Sequence, residues 1–551
     1  MTTEPLMLGD HPLTLDDLVD VARRHRPVEL GAAAEKAMAP SAAWIHDLTA
    51  DMAEGRRTRP VYSVNTGFGS LAGRQAFETA EDAVELSRRL ITSNACGVGR
   101  HCGEDVVRAT MLIRASSLVR GYSGVRPAVV RTLLAMLNSG VHPAIPEYGS
   151  LGASGDLIPL AHLALVLSRP DADTDPEEDS GLAHFEGNLL SGRAAMAAAG
   201  IDRLALGAKE GLALTNGTSY STAMCALATA DAHNLLATAE VTAAMSIEAL
   251  LGFGDAFLPQ LHEARGHAGQ IATAARLRQL LHGSAFIDGA AGTDPVRQPP
   301  QDAYSLRCVP QVLGPVRDTL AFVRGIVETE LNAATDNPLV VPGLPRSLKA
   351  ISGGNFHAQY LAFASDFLSI CVTEIGSIAE RRLFRLNDGT LNRGLPDMLV
   401  DGEKVGMDCG YMLPQYLAAA LVSDCKTLAH PDSVDSIPTC SNQEDHVSMA
   451  SNAGRHARQV VANIEAVVAT ELLMAAQALE LRLAEQGRDA EALAPATRAA
   501  VDVLRATPAT DGRPIDHLTR DVVLYPRVHA ALDLVRSGAV VAVADKATYT
   551  P

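Results

Sequence analysis

The chain has 551 residues, 47% of them hydrophobic and only 4% aromatic, with a formal net charge of −18. That length and apolar fraction supply a large core, and scarce aromatics with abundant alanine suit long packed helices more than sheets. The acidic balance argues against a nucleic-acid partner, which rewards basic faces, and leaves a small zwitterionic substrate open.

The first ten residues hold no basic region followed by an apolar run, so no secretory leader is expected. Nor is any stretch expected to reach the roughly 18 apolar residues of a membrane span. An irregular segment, Val61-Tyr62-Ser63-Val64-Asn65-Thr66-Gly67-Phe68-Gly69, comes early in the chain. Residues 149–160 then read Gly-Ser-Leu-Gly-Ala-Ser-Gly-Asp-Leu-Ile-Pro-Leu, centred on Ala153-Ser154-Gly155. If the backbone bends tightly enough, the amide nitrogen of Gly155 can attack the carbonyl carbon of Ala153. Loss of two waters leaves a five-membered ring with an exocyclic methylidene derived from Ser154. The residue types suit that geometry, since Ala153 is small, the Gly155 nitrogen is unhindered and Gly152 permits unusual backbone angles. Taken alone, the run reads equally as a glycine-rich turn before a helix. A phosphate cradle is weaker, because no Gly-Lys-Ser/Thr follows.

The acidic run from Asp171 to Asp179 reads as a solvated surface loop, lacking the glycine and spacing of a calcium site. After residue 200 the periodicity is helical nearly throughout, over roughly 229–252, 314–335, 356–385, 411–429 and 455–486. Helices of this length with apolar faces predict a mainly α fold, a helical bundle. The intervening segment 283–303 is rich in Gly, Pro, Gln and Asp and leads into Tyr304, so a lid over bound substrate is expected there. The eight cysteines are scattered without a C-x-x-C pair, the pattern of reduced, buried thiols in a cytoplasmic protein. No H-E-x-x-H or Cys/His cluster supports a metal. Without internal repeats or linkers, the chain reads as one unit, with an N-terminal part to about 225, a long-helix part over about 226–490 and a helical C-terminal part over about 491–551.

Further blocks stand in order between about residues 60 and 450: Leu212-Ala213-Leu214-Thr215-Asn216-Gly217-Thr218, Gln301-Asp302-Ala303-Tyr304-Ser305-Leu306-Arg307-Cys308, Asn332-Ala333-Ala334-Thr335-Asp336-Asn337-Pro338, Gly354-Asn355-Phe356-His357 and Asn442-Gln443-Glu444-Asp445-His446. Together with the Tyr62 segment and the Ala-Ser-Gly triplet, they resemble the aromatic amino acid ammonia-lyases and aminomutases. The resemblance implies an elongated helical bundle that assembles as a homotetramer with active sites shared among subunits. It implies a methylidene-imidazolone (MIO) made autocatalytically from Ala153, Ser154 and Gly155 at a helix N-terminus, and no metal. It further implies loss of ammonia from an α-amino acid, with Tyr62 as the base. Tyrosine has an ordinary pKa of about 10. Helix N-termini and cationic neighbours are therefore expected to lower it, and an alkaline optimum follows.

By the same resemblance Tyr304 is a catalytic residue that orients ring and substrate and assists ring formation. Arg307 is a bidentate clamp for the substrate carboxylate, with a structural salt bridge as its alternative. Asn216 bonds the ring carbonyl or the substrate. Gln301 and Asn337 are carboxylate or loop contacts, or simply turn residues. Phe356 is packing or a pocket wall, and Gly69 and Leu157 are pocket candidates by their closeness in sequence to Tyr62 and the triplet. Glu444 matches the histidine branch, where phenylalanine and tyrosine enzymes usually carry Gln, and a carboxylate suits a substrate amine or imidazole N–H. Ser93-Asn94 departs from the Ser-His usual in that branch, and Ser219 replaces its usual glutamine. Asn can still offer donors and an acceptor to a ring nitrogen, whereas an unpaired buried amide costs about 1–3 kcal/mol and argues against phenylalanine. L-Histidine, converted to urocanate, is thus the leading substrate. Tyrosine or another polar amino acid, or a 2,3-aminomutase returning ammonia to the β-carbon, are the alternatives.

Overall fold

The five periodic stretches form the helices Ser219–Ala249, Val309–Glu330, Gln359–Asn387, Met412–Leu428 and Ala450–Gln486. They are seen in a computed structural model that describes residues 4–56, 58–73, 79–170, 175–287, 300–345, 349–402 and 406–548. The first helix starts ten residues before its periodic run (Ser219 against 229) because residues 219–228 are buried on every side. A helix without a solvent face carries no stripe to read. Two of the five, Gln359–Asn387 and Ala450–Gln486, are long and apolar enough to cross a membrane, with mean hydropathies of 1.5 and 1.4. This corrects the expectation that no stretch would reach that level; most of each helix is buried in protein instead.

The chain divides into two compact units, each assembled from three segments. One comprises Met1–Ala230, Arg324–Asp366 and Pro431–Arg455, and the other Asp231–Val323, Phe367–His430 and His456–Pro551. Four of the long helices contain a boundary, so each unit draws on distant segments.

In the second unit, polar groups tie the helices together from within. The fully buried Glu471 carboxylate accepts from Thr242 Oγ1 and Ser246 Oγ, both at 2.8 Å, and from Arg382 Nε and Nη2 at 2.5 and 2.9 Å. Glu248 likewise accepts from the Ala494 amide at 2.7 Å and from Thr497 Oγ1 at 2.5 Å. Such pairs persist because each buried charge is matched. The expected lid falls mostly on residues 288–299, outside the described residues.

In the first unit, the short helix Leu157–Leu167 packs against the helices Ala80–Asn94 and Glu210–Thr215. Strand Val98–His101 pairs antiparallel with Pro146–Tyr148, delivering the chain to Gly149 and the glycine-rich run. Within the acidic run, Glu177, Glu178 and Asp179 are exposed as its reading as a solvated loop expects, and residues 171–174 lie outside the described residues, but Asp175 departs from it. Asp175 is buried, bonded to Arg88 at 3.0 Å, Arg193 at 2.6 Å and Arg203 at 3.1 Å. These arginines hold its carboxyl below the usual range despite burial.

Candidate active site

The glycine-rich run folds into a turn that closes on itself. Gly152, Ser154 and Gly155 have φ of +94°, +53° and +78°, left-handed values that cost a non-glycine residue roughly 1–2 kcal/mol. The Gly155 amide donates to the Gly152 carbonyl at 3.2 Å. No side chain fits at either glycine: a Cβ on Gly155 would collide with the Gly217 carbonyl, and one on Gly152 with Ser448 Oγ. Ala153 and Ser154 are half-buried while Gly155 and Asp156 are buried, so the bend presents its first two residues outward. The helix Leu157–Leu167 starts immediately beyond, with Leu157 half-buried at its first position.

Every polar atom of Ser154 for which a partner is seen faces a residue singled out in the sequence or its neighbour. Its carbonyl oxygen accepts from Asn216 Nδ2 at 2.8 Å and from the Gly217 amide at 3.3 Å. Its hydroxyl donates to Glu444 Oε1 at 3.4 Å. The other carboxylate oxygen, Oε2, accepts from Thr439 Oγ1 at 3.1 Å, and the Thr439 and Glu444 backbones pair across the same turn. The Tyr62 phenol oxygen accepts from the Gly69 amide at 2.8 Å, and the adjacent Ser70 amide donates to Cys440 Sγ at 3.1 Å. Tyr62, Gly69, Ser154, Asn216 and Glu444 therefore belong to one constellation. Its electrostatics differ from expectation. Burial pushes the Tyr62 hydroxyl above its ordinary range, the Gly69 N–H pulls against this, and Glu444 and Cys440 push it further up. Neighbouring carboxylate and thiol stand where cations were expected.

Behind the turn lie two residues that sequence reasoning missed. The fully buried Asp156 carboxylate accepts from the Ser221 amide at 2.8 Å and from the hydroxyls of Ser221, Ser451 and Ser150 at 2.6, 2.9 and 3.1 Å. Burial raises its pKa and these bonds oppose the rise. Arg114, also fully buried, donates to the Asn216 carbonyl at 2.5 Å and so fixes the residue that grips Ser154. Only the position of Asp156, directly after the triplet, could have signalled it; nothing local marks Arg114.

Asn94 ends the helix Ala80–Asn94, and its Nδ2 is buried without a partner among the described residues. Ser93 turns its hydroxyl onto the Leu90 carbonyl of its own helix at 3.1 Å. Asn337 has both ends of its amide engaged, accepting from the Gly353 amide at 2.7 Å and donating to Ser352 Oγ at 3.2 Å, the geometry of a loop brace. Phe356 is half-buried beside His357, whose ring stacks on that of His446 at 5.6 Å. Gln301, Tyr304 and Arg307 belong to the second unit. There the Arg307 guanidinium lies 4.9 Å from the centre of the exposed Tyr304 ring, and Gln301 and Arg307 line a cavity of about 330 Å³. Among the described residues, no three His, Cys, Asp or Glu side chains are placed to hold a metal ion.

The sequence description of the aromatic amino acid lyases matches residues 13–506. The chain belongs to that family. This lyase, a carbon–nitrogen lyase, is 44% identical over 542 residues to a histidine ammonia-lyase of Clostridium tetani, with 98% of each chain covered. Among solved structures, it superposes with a TM-score of 0.87 on the tyrosine aminomutase of Streptomyces globisporus, at 34% identity and 100% coverage of both chains. It superposes at 0.84 on the histidine ammonia-lyase of Trypanosoma cruzi, at 35% identity, covering 98% of this chain and 95% of that one. The mainly helical fold expected from periodicity is that of these enzymes.

Proposed function

We propose that this lyase eliminates ammonia from L-histidine to give urocanate, using an MIO that forms from its own Ala153, Ser154 and Gly155. The observation that carries the reading is the closed left-handed turn with two donors on the Ser154 carbonyl and a carboxylate on its hydroxyl. The residues fit the ring: only glycine can occupy position 155, and ring closure through its nitrogen needs the bend already present. Once formed, the ring supplies an electrophile that makes the amine a better leaving group. Asn216 and Gly217 hold negative charge on the Ser154 oxygen. Tyr62 removes the β-proton, and Glu444 receives the substrate amine or an imidazole N–H. The Asn94 Nδ2, without a partner among the described residues, is a donor for a ring nitrogen. Arg307 binds the substrate carboxylate, Tyr304 orients the substrate, and Gln301, Phe356, Gly69 and Leu157 are further proposed substrate contacts.

Assembly and location follow the same reading. Tyr360, Phe363, Phe367 and Ile370 form an exposed apolar stripe along one long helix, and Leu413, Tyr416 and Leu417 are exposed on another. Faces of this kind are buried by association, which supports a homotetramer with shared active sites. All eight cysteines are free thiols, which supports a reducing, cytoplasmic setting.

The test is ammonia release from L-histidine, L-tyrosine and L-phenylalanine in parallel, with ultraviolet detection of the conjugated acid. Urocanate from histidine alone supports the proposal; no release from histidine refutes it. A second reading, an aminomutase, is favoured by the likeness to the tyrosine aminomutase together with Asn94. A β-amino acid product would identify it.

A further inference from the structure

We infer that Cys440 is a positioning residue for the base: its sulfur holds the loop that aims Tyr62 and ties that loop to the turn facing Ser154. The inference rests on the proposed elimination and concerns how its base is kept in register with the Ala153-Ser154-Gly155 bend. Two consecutive amides of the Tyr62 loop point at two acceptors. The Gly69 N–H donates to the Tyr62 phenol oxygen at 2.8 Å, and the Ser70 N–H donates to Cys440 Sγ at 3.1 Å. Successive backbone N–H groups favour negative charge between them, so the Gly69 donor stabilises Tyr62 as a phenolate. Because the two donors are neighbours in the chain, the sulfur that holds Ser70 also sets the direction of the Gly69 N–H. The approach is close: Gly69 has φ of +55°, and a Cβ there would come within 2.7 Å of Sγ.

Cys440 lies in the same turn as Glu444. The Thr439 and Glu444 backbones bond in both directions, at 3.0 and 3.4 Å, and the Gln443 amide donates to the Cys440 carbonyl at 3.1 Å. Cys440, Ser441 and Asn442 have φ of +50°, +54° and +64°. Left-handed values in three successive non-glycine residues persist only where the surroundings hold them. From the far end of this turn, Glu444 Oε1 faces the Ser154 hydroxyl at 3.4 Å. One short turn therefore grips the base loop at one end and meets the bend at the other. A reacting group displaced by about 1 Å can cost about 10²-fold in rate, so releasing the Ser70 amide should slow proton removal.

The experiment compares Cys440→Ala, which removes the acceptor, with Cys440→Ser, which keeps one, in the full chain. By hydrogen exchange, the amides of residues 68–71 should exchange faster in Cys440→Ala and at the parental rate in Cys440→Ser. With L-histidine, Cys440→Ala should lose about 10- to 10²-fold in kcat, and the isotope effect from β-deuterated L-histidine should rise as proton removal limits turnover more fully. Cys440→Ser should return both to near the parental values, which a merely folded or unfolded difference would not explain. Unchanged amide exchange in Cys440→Ala would overturn the inference, as would a kcat within about threefold of the parent. A lower kcat with an unchanged isotope effect would mark lost active enzyme and overturn it too, as would a serine variant as slow as the alanine one. A parent that releases no ammonia from L-histidine would instead overturn the proposed reaction, while amide exchange still reports on the contact.

Discussion

Replacing Asn216 with alanine removes the shorter of the two hydrogen bonds to the Ser154 carbonyl, 2.8 Å against 3.3 Å from the Gly217 amide. The backbone should survive, because Arg114 grips the main-chain carbonyl of residue 216 rather than its side chain. Loss of one donor at a site of developing negative charge costs about 10²–10³ in kcat, or about 3–4 kcal/mol. The longer Gly217 bond compensates poorly, so the upper half of that range is expected. Because the donor acts on charge that builds during reaction, KM should change little while kcat falls. The assay is steady-state kinetics on L-histidine, normalised to the fraction of chains that have lost two waters. A fully matured Asn216→Ala enzyme with kcat within about threefold of the parent would refute the reasoning.

The remaining predictions use other parts of the molecule. Tyr62 must lose its proton to act as base, and burial with Glu444 and Cys440 nearby raises its pKa; kcat/KM should therefore climb with pH through neutrality into the alkaline range, and an acid-favouring profile would exclude a tyrosinate. Gly155→Ala should give protein that never acquires the two-water mass loss, since the new Cβ meets the Gly217 carbonyl; normal mass loss would show that the turn is not needed. Arg382→Met leaves the buried Glu471 with Thr242 and Ser246 as its remaining donors among the described residues, so denaturant titration should show about 3–5 kcal/mol less stability. Asn94→His, which restores the residue usual in histidine enzymes, should raise kcat/KM for L-histidine relative to L-tyrosine; no change in that ratio would remove position 94 from the pocket.

The long helices were legible because their apolar faces repeat every three to four residues, and the run from Arg455 to Gln486 lies inside a helix of nearly the same bounds, Ala450–Gln486. The tight turn at Gly152–Gly155 was legible because its glycines are local. What escaped depends on partners far along the chain. Asp175 looked solvated among neighbouring acids, yet Arg88, Arg193 and Arg203 surround it. Arg114 sits 102 residues from the carbonyl it holds. The environment of Tyr62 was misjudged for the same reason: Cys440 and Glu444 reach it from a distant turn, bringing negative rather than positive charge. Periodicity reports which face of a helix is dry and is silent about which charge arrives there.

The turn at Gly152–Gly155 has a consequence for how such an enzyme is supplied and how it diversifies. A reactive group made from the chain itself, as proposed for Ala153, Ser154 and Gly155, is dosed one per polypeptide at the moment of synthesis. It cannot dissociate, be scavenged by a competitor, or be replenished once damaged, so a spoiled centre is repaired only by making another chain. Its own positions tolerate little exchange, since the methylidene needs the Ser154 side chain and the bend needs glycine at 155. On the proposed reading, selection for a new substrate falls outward, onto residues such as Asn94 and Glu444, while the triplet stays constant.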